Sequence, residues 1–133
     1  MRIQKEDKSM LLAESKKYII SNEYETAYLI DKQSGRKISE IAEMYGDPAA
    51  AKISGDEKFC VVIGCGAVVY WLKMPFEDIS ESRICRQCYS VLPDIWFEEI
   101  VSMDNGKIML RSESNVLYEI DVYTGNTVCC NAH

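Results

Sequence analysis

The sequence predicts a small all-β domain built from related antiparallel meanders. Three observations carry that prediction: short apolar stretches of alternating polarity, turn-forming residues at close intervals, and a segment that returns 90 residues later. Residues 17–38 (KYIISNEYETAYLIDKQSGRKI) align without a gap on residues 107–128 (KIMLRSESNVLYEIDVYTGNTV). Lys17, Glu23, Tyr28, Ile30, Asp31 and Gly35 meet Lys107, Glu113, Tyr118, Ile120, Asp121 and Gly125. A more degraded copy starts at Lys58 (KFCVVIGCGAVVYWLK), so the starts at Lys17, Lys58 and Lys107 lie 41 and 49 residues apart. The whole chain, 1–133, is one domain on length, with repeats at about 10–48, 49–95 and 96–133.

The last repeat shows its elements most plainly. A first strand around 99–103 ends at Asp104-Asn105-Gly106, a tight-turn signal. A second strand covers 107–112, and Glu113-Ser114-Asn115 turns the chain again. The third strand, 116–121, places Val116, Tyr118 and Ile120 on one face. Thr124-Gly125-Asn126 supplies a residue that tolerates positive φ, and a short fourth strand follows at 127–130. In the middle repeat Ser54-Gly55-Asp56-Glu57 is the first turn, and Gly64-Cys65-Gly66 reads as a hairpin turn inside an apolar run. Two stretches depart from this rhythm. Residues 38–45 (ISEIAEMY) suit a helical turn as well as a strand. Residues 74–96, marked by Pro75 and Pro93, form an insertion whose 76–82 part is expected to make one short helix.

These units resemble blades of WD-repeat and PQQ-type β-propellers. The residues that carry the resemblance are Tyr28-Leu29-Ile30-Asp31 with Ser34-Gly35, and Tyr118-Glu119-Ile120-Asp121 with Thr124-Gly125. Ile53-Ser54-Gly55-Asp56-Glu57-Lys58, followed by Val69-Tyr70-Trp71, is similar to the WD pattern of a turn before the second strand and Trp closing the third. The resemblance implies architecture and carries over no PQQ or metal site. Closed propellers take about four to eight blades, and this chain has material for three. The expected shape is therefore an open or half β-propeller-like curved assembly. Its end faces must be covered, charged, or buried in a homodimer.

Composition narrows the partners. A hydrophobic share of 47% with 27% charged residues is that of a folded domain. The net charge of -6 disfavours nucleic acid and anionic membranes and favours a basic protein. No apolar run approaches the ~20 residues of a membrane span. The first twelve residues lack the apolar core of a signal peptide, so a cytoplasmic location with reduced thiols is expected for the six cysteines.

Chemistry-bearing patterns are sparse. Cys85-Arg86-Gln87-Cys88 is a single C-x-x-C, and Cys129-Cys130 with His133 completes a zinc set only awkwardly. No metal and no cofactor are expected. His133 is the lone histidine, which argues against a Ser-His-Asp or Cys-His centre and so against an enzyme. The insertion and its flank concentrate Glu77, Asp78, Glu81, Asp94, Glu98 and Glu99 against Arg83 and Arg86, with Phe76, Tyr89, Trp96 and Phe97 interleaved. That pattern suits a recognition surface with Trp96 or Phe97 as its apolar anchor. In size, charge and architecture the chain also resembles immunity proteins of contact-dependent inhibition and related polymorphic toxin systems. The resemblance implies a non-catalytic inhibitor of a basic, nuclease-type toxin domain. The alternative is an interaction scaffold or a self-assembling half-propeller.

Overall fold

The computed structural model describes residues 9–79 and 87–130, and every regular element among them is a β-strand. β1 (Ser9–Glu14), β2 (Tyr18–Glu23), β3 (Thr26–Asp31) and β4 (Lys37–Glu43) form an antiparallel sheet in chain order. β5 (Ala50–Ile53), β6 (Phe59–Trp71), β7 (Cys88–Asp104), β8 (Lys107–Ser112), β9 (Leu117–Asp121) and β10 (Thr127–Cys129) form a second, longer ladder, also in chain order. No helix of the described residues is long and apolar enough to cross a membrane.

The longer ladder contains two reversals. An extended strand rises about 3.3 Å per residue, which would carry the ends of β6 some ~40 Å apart. Instead the amide of Leu72 donates to the carbonyl of Lys58 at 2.8 Å, and the Phe59 and Trp71 rings lie 5.6 Å apart. β6 is therefore a hairpin with arms 59–63 and 67–71 around Gly64-Cys65-Gly66. Gly66 sits at φ +90, and a β-carbon there would come within 2.9 Å of the Pro93 Cα. β7 turns back as well. Its 88–91 part pairs with 67–70, Leu92 takes φ 52 beside Pro93, and the part from Phe97 onward pairs with β8. With two arms each in β6 and β7, the chain makes three four-arm meanders: 9–43, 50–91 and 96–129.

The core forms two layers, one on each side of the middle meander. Ile20, Leu29 and Ala42 of the first pack with Cys60, Val62, Val68 and Tyr70. The opposite face of β6, with Phe59, Val61, Ile63 and Val69, packs with Phe97, Ile108, Leu110 and Ile120 of the third. Burial on both faces explains why β6 is an unbroken apolar run while the outer sheets alternate. β1 lies against β5 and β5 against β7, which sets the opening strands of the meanders side by side.

The repeat holds in its Asp-to-Gly turns and slips by one residue at the preceding hairpin turn. Asp31 and Asp121 close the same turn. The Gly35 and Gly125 amides each donate to the aspartate carbonyl at 2.7 Å, and the two glycines take φ 77 and 78. Pairing, however, sets Tyr18 against Asp31 but Lys107 against Asp121. The β2–β3 hairpin turns on Tyr24-Glu25, while β8–β9 turns on Glu113-Ser114-Asn115, so the gapless alignment needs one inserted residue at this turn. The faces differ too. The first and third meanders flank the middle one from opposite sides, so they bury opposite faces. Ile120 is fully buried in β9, whereas its counterpart Ile30 is only half-buried and Leu29 takes the core.

The two ambiguous stretches resolve as follows. Residues 37–43 are strand β4, because Ile41 and Ala42 are needed in the first core layer. The described part of the expected helix, 76–79, is not helical; it runs along β4. There Glu40 donates its amide to Asp78 Oδ1 at 2.8 Å, and Ile79 donates to the Glu40 carbonyl at 3.1 Å. Residues 80–82 lie outside the described residues. The insertion thus covers a sheet edge that would otherwise offer free hydrogen-bonding groups. The outward faces of the end sheets carry charge. Lys37 spans Glu23 at 3.0 Å and the Tyr28 ring at 4.0 Å, and Arg111 binds Glu98 at 3.1 Å and Glu99 at 2.9 Å.

Candidate functional site

Antiparallel meanders send their connections alternately to two ends. One end, here apical, gathers the turns at 24–25, 44–49, 64–66, 92–95 and 113–115. The other, basal, gathers those at 15–17, 32–36, 54–58, 72–75, 105–106 and 122–126. The two differ sharply in charge. The apical turns hold Glu25, Asp47, Asp94 and Glu113, with Glu43 at the end of β4, and no lysine or arginine. The basal turns hold Lys16, Lys17, Lys32, Arg36, Lys58 and Lys73 against Asp56 and Glu57, with Asp31, Asp104 and Asp121 at the strand ends that lead into them. Like charges gathered at one end give a field that adds over the surface rather than cancelling.

The apical end also presents aromatic surface on fixed backbone. Tyr45 is 87% exposed and Tyr24 60%. Their loops are tied together: the Glu25 carbonyl accepts the Met44 amide at 3.0 Å, and its carboxylate accepts the Gly46 amide at 3.0 Å. Trp96 is half-buried beside them, its ring edge 3.7 Å from the position a β-carbon on Gly46 would take. The Trp96 carbonyl accepts the Glu113 amide at 2.9 Å, which links this corner to the third meander.

The residues singled out from the sequence do not form one patch. Asp94 and Trp96 belong to the apical end. Glu98 and Glu99 are exposed and engaged by Arg111 on the outward face of the third meander. Asp78 is half-buried and holds the strap to β4. Glu77 is half-buried, and its backbone is bound by Tyr70 and Gln87. Phe97 is not an anchor: it is fully buried and meets Tyr118 edge-on at 5.5 Å, so it belongs to the second core layer. Glu81 lies outside the described residues, as do Cys85 and His133. Sequence reasoning missed Glu25, Asp47, Glu113, Tyr24 and Tyr45. The available signal was that each sits in a turn and alternate turns share an end.

The basal end is tied down by polar side chains. Ser15 donates its hydroxyl to Glu57 Oε2, and the Lys17 amide donates to the same oxygen at 2.8 Å. These bonds hold the Glu57 carboxyl below its ordinary range. The Ser34 side chain and amide lower Asp31, and the Ser54 hydroxyl with the Lys58 amide lowers Asp56. Tyr70 is fully buried at the root of the insertion. Its hydroxyl donates to the Glu77 carbonyl at 2.7 Å and meets Ser39 Oγ at 3.1 Å. Gln87 donates to the carbonyls of Trp71 and Lys73, at 2.9 and 2.7 Å.

Among the described residues no three His, Cys, Asp or Glu side chains gather as a metal site. Cys60 is fully buried, which pushes its thiol far above the ordinary range, whereas Cys129 is exposed.

No protein-family model matches the chain, and no curated protein matches it in sequence. Among solved structures, the WD40 β-propeller domain of Doa1 is similar, with a TM-score of 0.62 at 14% identity. The match covers 92% of this chain and 39% of that one, so the chain spans about two-fifths of the propeller domain it resembles. At that identity the likeness concerns the fold: an all-β, propeller-like arrangement of antiparallel meanders.

Proposed function

We propose that the chain is a non-catalytic binding protein whose apical end takes a basic protein partner. The observation that carries this reading is the charge of the apical turns, where Glu25, Asp47, Asp94 and Glu113 share one end with exposed Tyr24 and Tyr45 and none of these turns holds a lysine or arginine. Carboxylates at the rim steer a basic partner and speed its arrival, and aromatic side chains supply the contact that slows its departure. At finer resolution, the reading is an inhibitor acting in the cytoplasm that masks a basic toxin domain in the manner of immunity proteins. The net charge of -6 suits that role. The WD40 likeness is compatible with protein binding of any kind and names no partner.

The test is affinity capture from lysate of the source cells, read by mass spectrometry, with the full chain and its D47N/D94N/E113Q variant. These carboxylates are exposed and take no described hydrogen bond, so the variant keeps the fold. A basic protein recovered by the native chain and lost by the variant supports the reading. Equal recovery by both removes the apical end from the account.

A second reading, self-assembly into a larger propeller, draws on the apolar residues of the outward faces, such as Tyr28, Ile30 and the exposed Val101 and Val128. The Lys37 and Arg111 ion pairs across those faces oppose it, since pairing would bury them. A solution mass twice that of the chain would favour self-assembly.

A further inference from the structure

The basal end holds a cleft of about 520 Å³ between the second and third meanders. The β5–β6 turn contributes Ser54 and Asp56 to its lining, and the β7–β8 turn contributes Asp104 and Asn105. Tyr123 adds exposed aromatic surface, and the almost fully buried Phe59 also lines the cleft. Two carboxylates line the cleft, and no lysine or arginine does.

The aromatic part is built to stay in place. Tyr123 is 65% exposed, yet its ring lies 5.6 Å from Trp71 at 37°, and Trp71 meets Phe59 at 5.6 Å and 64°. Gly106, at φ +75, makes room for it, since a β-carbon there would collide with the Tyr123 ring. An aromatic face kept open to solvent attracts a cation through its quadrupole, and nearby carboxylates add charge-assisted hydrogen bonds. Asp56 is oriented for this: Oδ1 accepts the Ser54 hydroxyl at 2.7 Å and the Lys58 amide at 3.1 Å. Asp104 is exposed and pairs with no described cation. A guanidinium matches the lining better than an ammonium, because it is planar, stacks on a ring and forks between carboxylates.

We infer that this basal cleft binds an arginine side chain of a peptide or protein partner. The site is separate from the apical end and does not depend on the proposed function. The test is titration of the full chain with Nα-acetyl-arginine amide, followed by amide NMR shifts. The citrulline counterpart, alike in shape but uncharged, is the control. The arginine probe is expected to move the Gly55, Asn105 and Gly106 amides saturably, and citrulline to leave them in place. D56N/D104N should weaken the arginine titration by roughly tenfold, or 1.4 kcal/mol, and Tyr123→Ala should weaken it as well. Asp56 accepts bonds from Ser54 and Lys58, and Tyr123 packs on Trp71, so these variants are expected to melt lower. A dispersed amide spectrum at the titration temperature separates lost binding from lost fold. Asp104→Asn alone, which removes no described bond, should also weaken the titration. Equal shifts with citrulline, shifts confined to the apical loops, or an unaltered titration in D56N/D104N would each overturn the assignment.

Discussion

Replacing Tyr70 by Phe removes one oxygen and leaves the ring in the first core layer. The magnitude follows from what that oxygen holds. Its hydroxyl donates to the Glu77 carbonyl at 2.7 Å and meets Ser39 Oγ at 3.1 Å, and it accepts the Glu77 amide at 3.2 Å. The Glu77 amide keeps a second acceptor in Gln87 Oε1, so the loss falls mainly on the Glu77 carbonyl and the Ser39 hydroxyl. Ser39 is buried and Glu77 half-buried, so water reaches them poorly. A lost buried hydrogen bond costs about 1 kcal/mol, and more where the partner stays unsatisfied, which puts Tyr70→Phe near ~2 kcal/mol. For a domain of this size that is a drop in Tm of roughly 6–10 °C. The assay is thermal unfolding followed by circular dichroism, with amide exchange at Glu77 and Ile79 as a local readout. Exchange there should accelerate, because the strap that covers β4 loses its root. A melt within a degree of wild type together with unchanged exchange would refute the view that the insertion is fastened through Tyr70.

Three further outcomes are expected. Phe97→Ala should cost about 3–5 kcal/mol, as for other buried aromatic truncations, whereas Trp96→Ala, half-buried at the apical end, should cost clearly less; chemical denaturation of both variants checks the order. Gly66→Ala should lose about 2 kcal/mol or more by thermal melt, since a side chain at φ +90 is strained and this one would also press on Pro93. The folded-state pKa values of Asp31, Asp56 and Glu57 are lowered, so their contribution is full above the unfolded values and is lost as pH falls through the folded ones. Melts taken as pH falls below about 4 should therefore drop more steeply for wild type than for Asp31→Asn.

What the sequence revealed depended on how local the physics was. The turns were legible, because Asp31 with Gly35 and Asp121 with Gly125 encode one backbone conformation twice. The Gly64-Cys65-Gly66 hairpin was legible for the same reason. The one-residue slip at the β2–β3 turn was not, because a gapless match of side chains is blind to turn length. Nor was the burial of Leu29 in place of Ile30, which is decided by the side on which the middle meander lies. Residues 38–45 read as helix or strand because Ile38, Ile41, Ala42 and Tyr45 fit either period; the core contacts of Ile41 and Ala42 settle it. The acidic residues of the insertion looked like one patch because they are close in sequence. Of those described, Glu77 and Asp78 run beside β4 and Asp94 sits at the apical end, while the apical carboxylates, scattered over 25–113 in the chain, come to one end.

Hydrogen exchange of the full chain, with and without the basic protein it captures, tests the central claim most directly. Slowed exchange in the partner's presence is expected at 24–25, 44–49, 92–95 and 113–115, fading as salt is raised because exposed charges are screened. Protection confined to the outward faces of β3 or β9, with those turns exchanging as in the free chain, would contradict it.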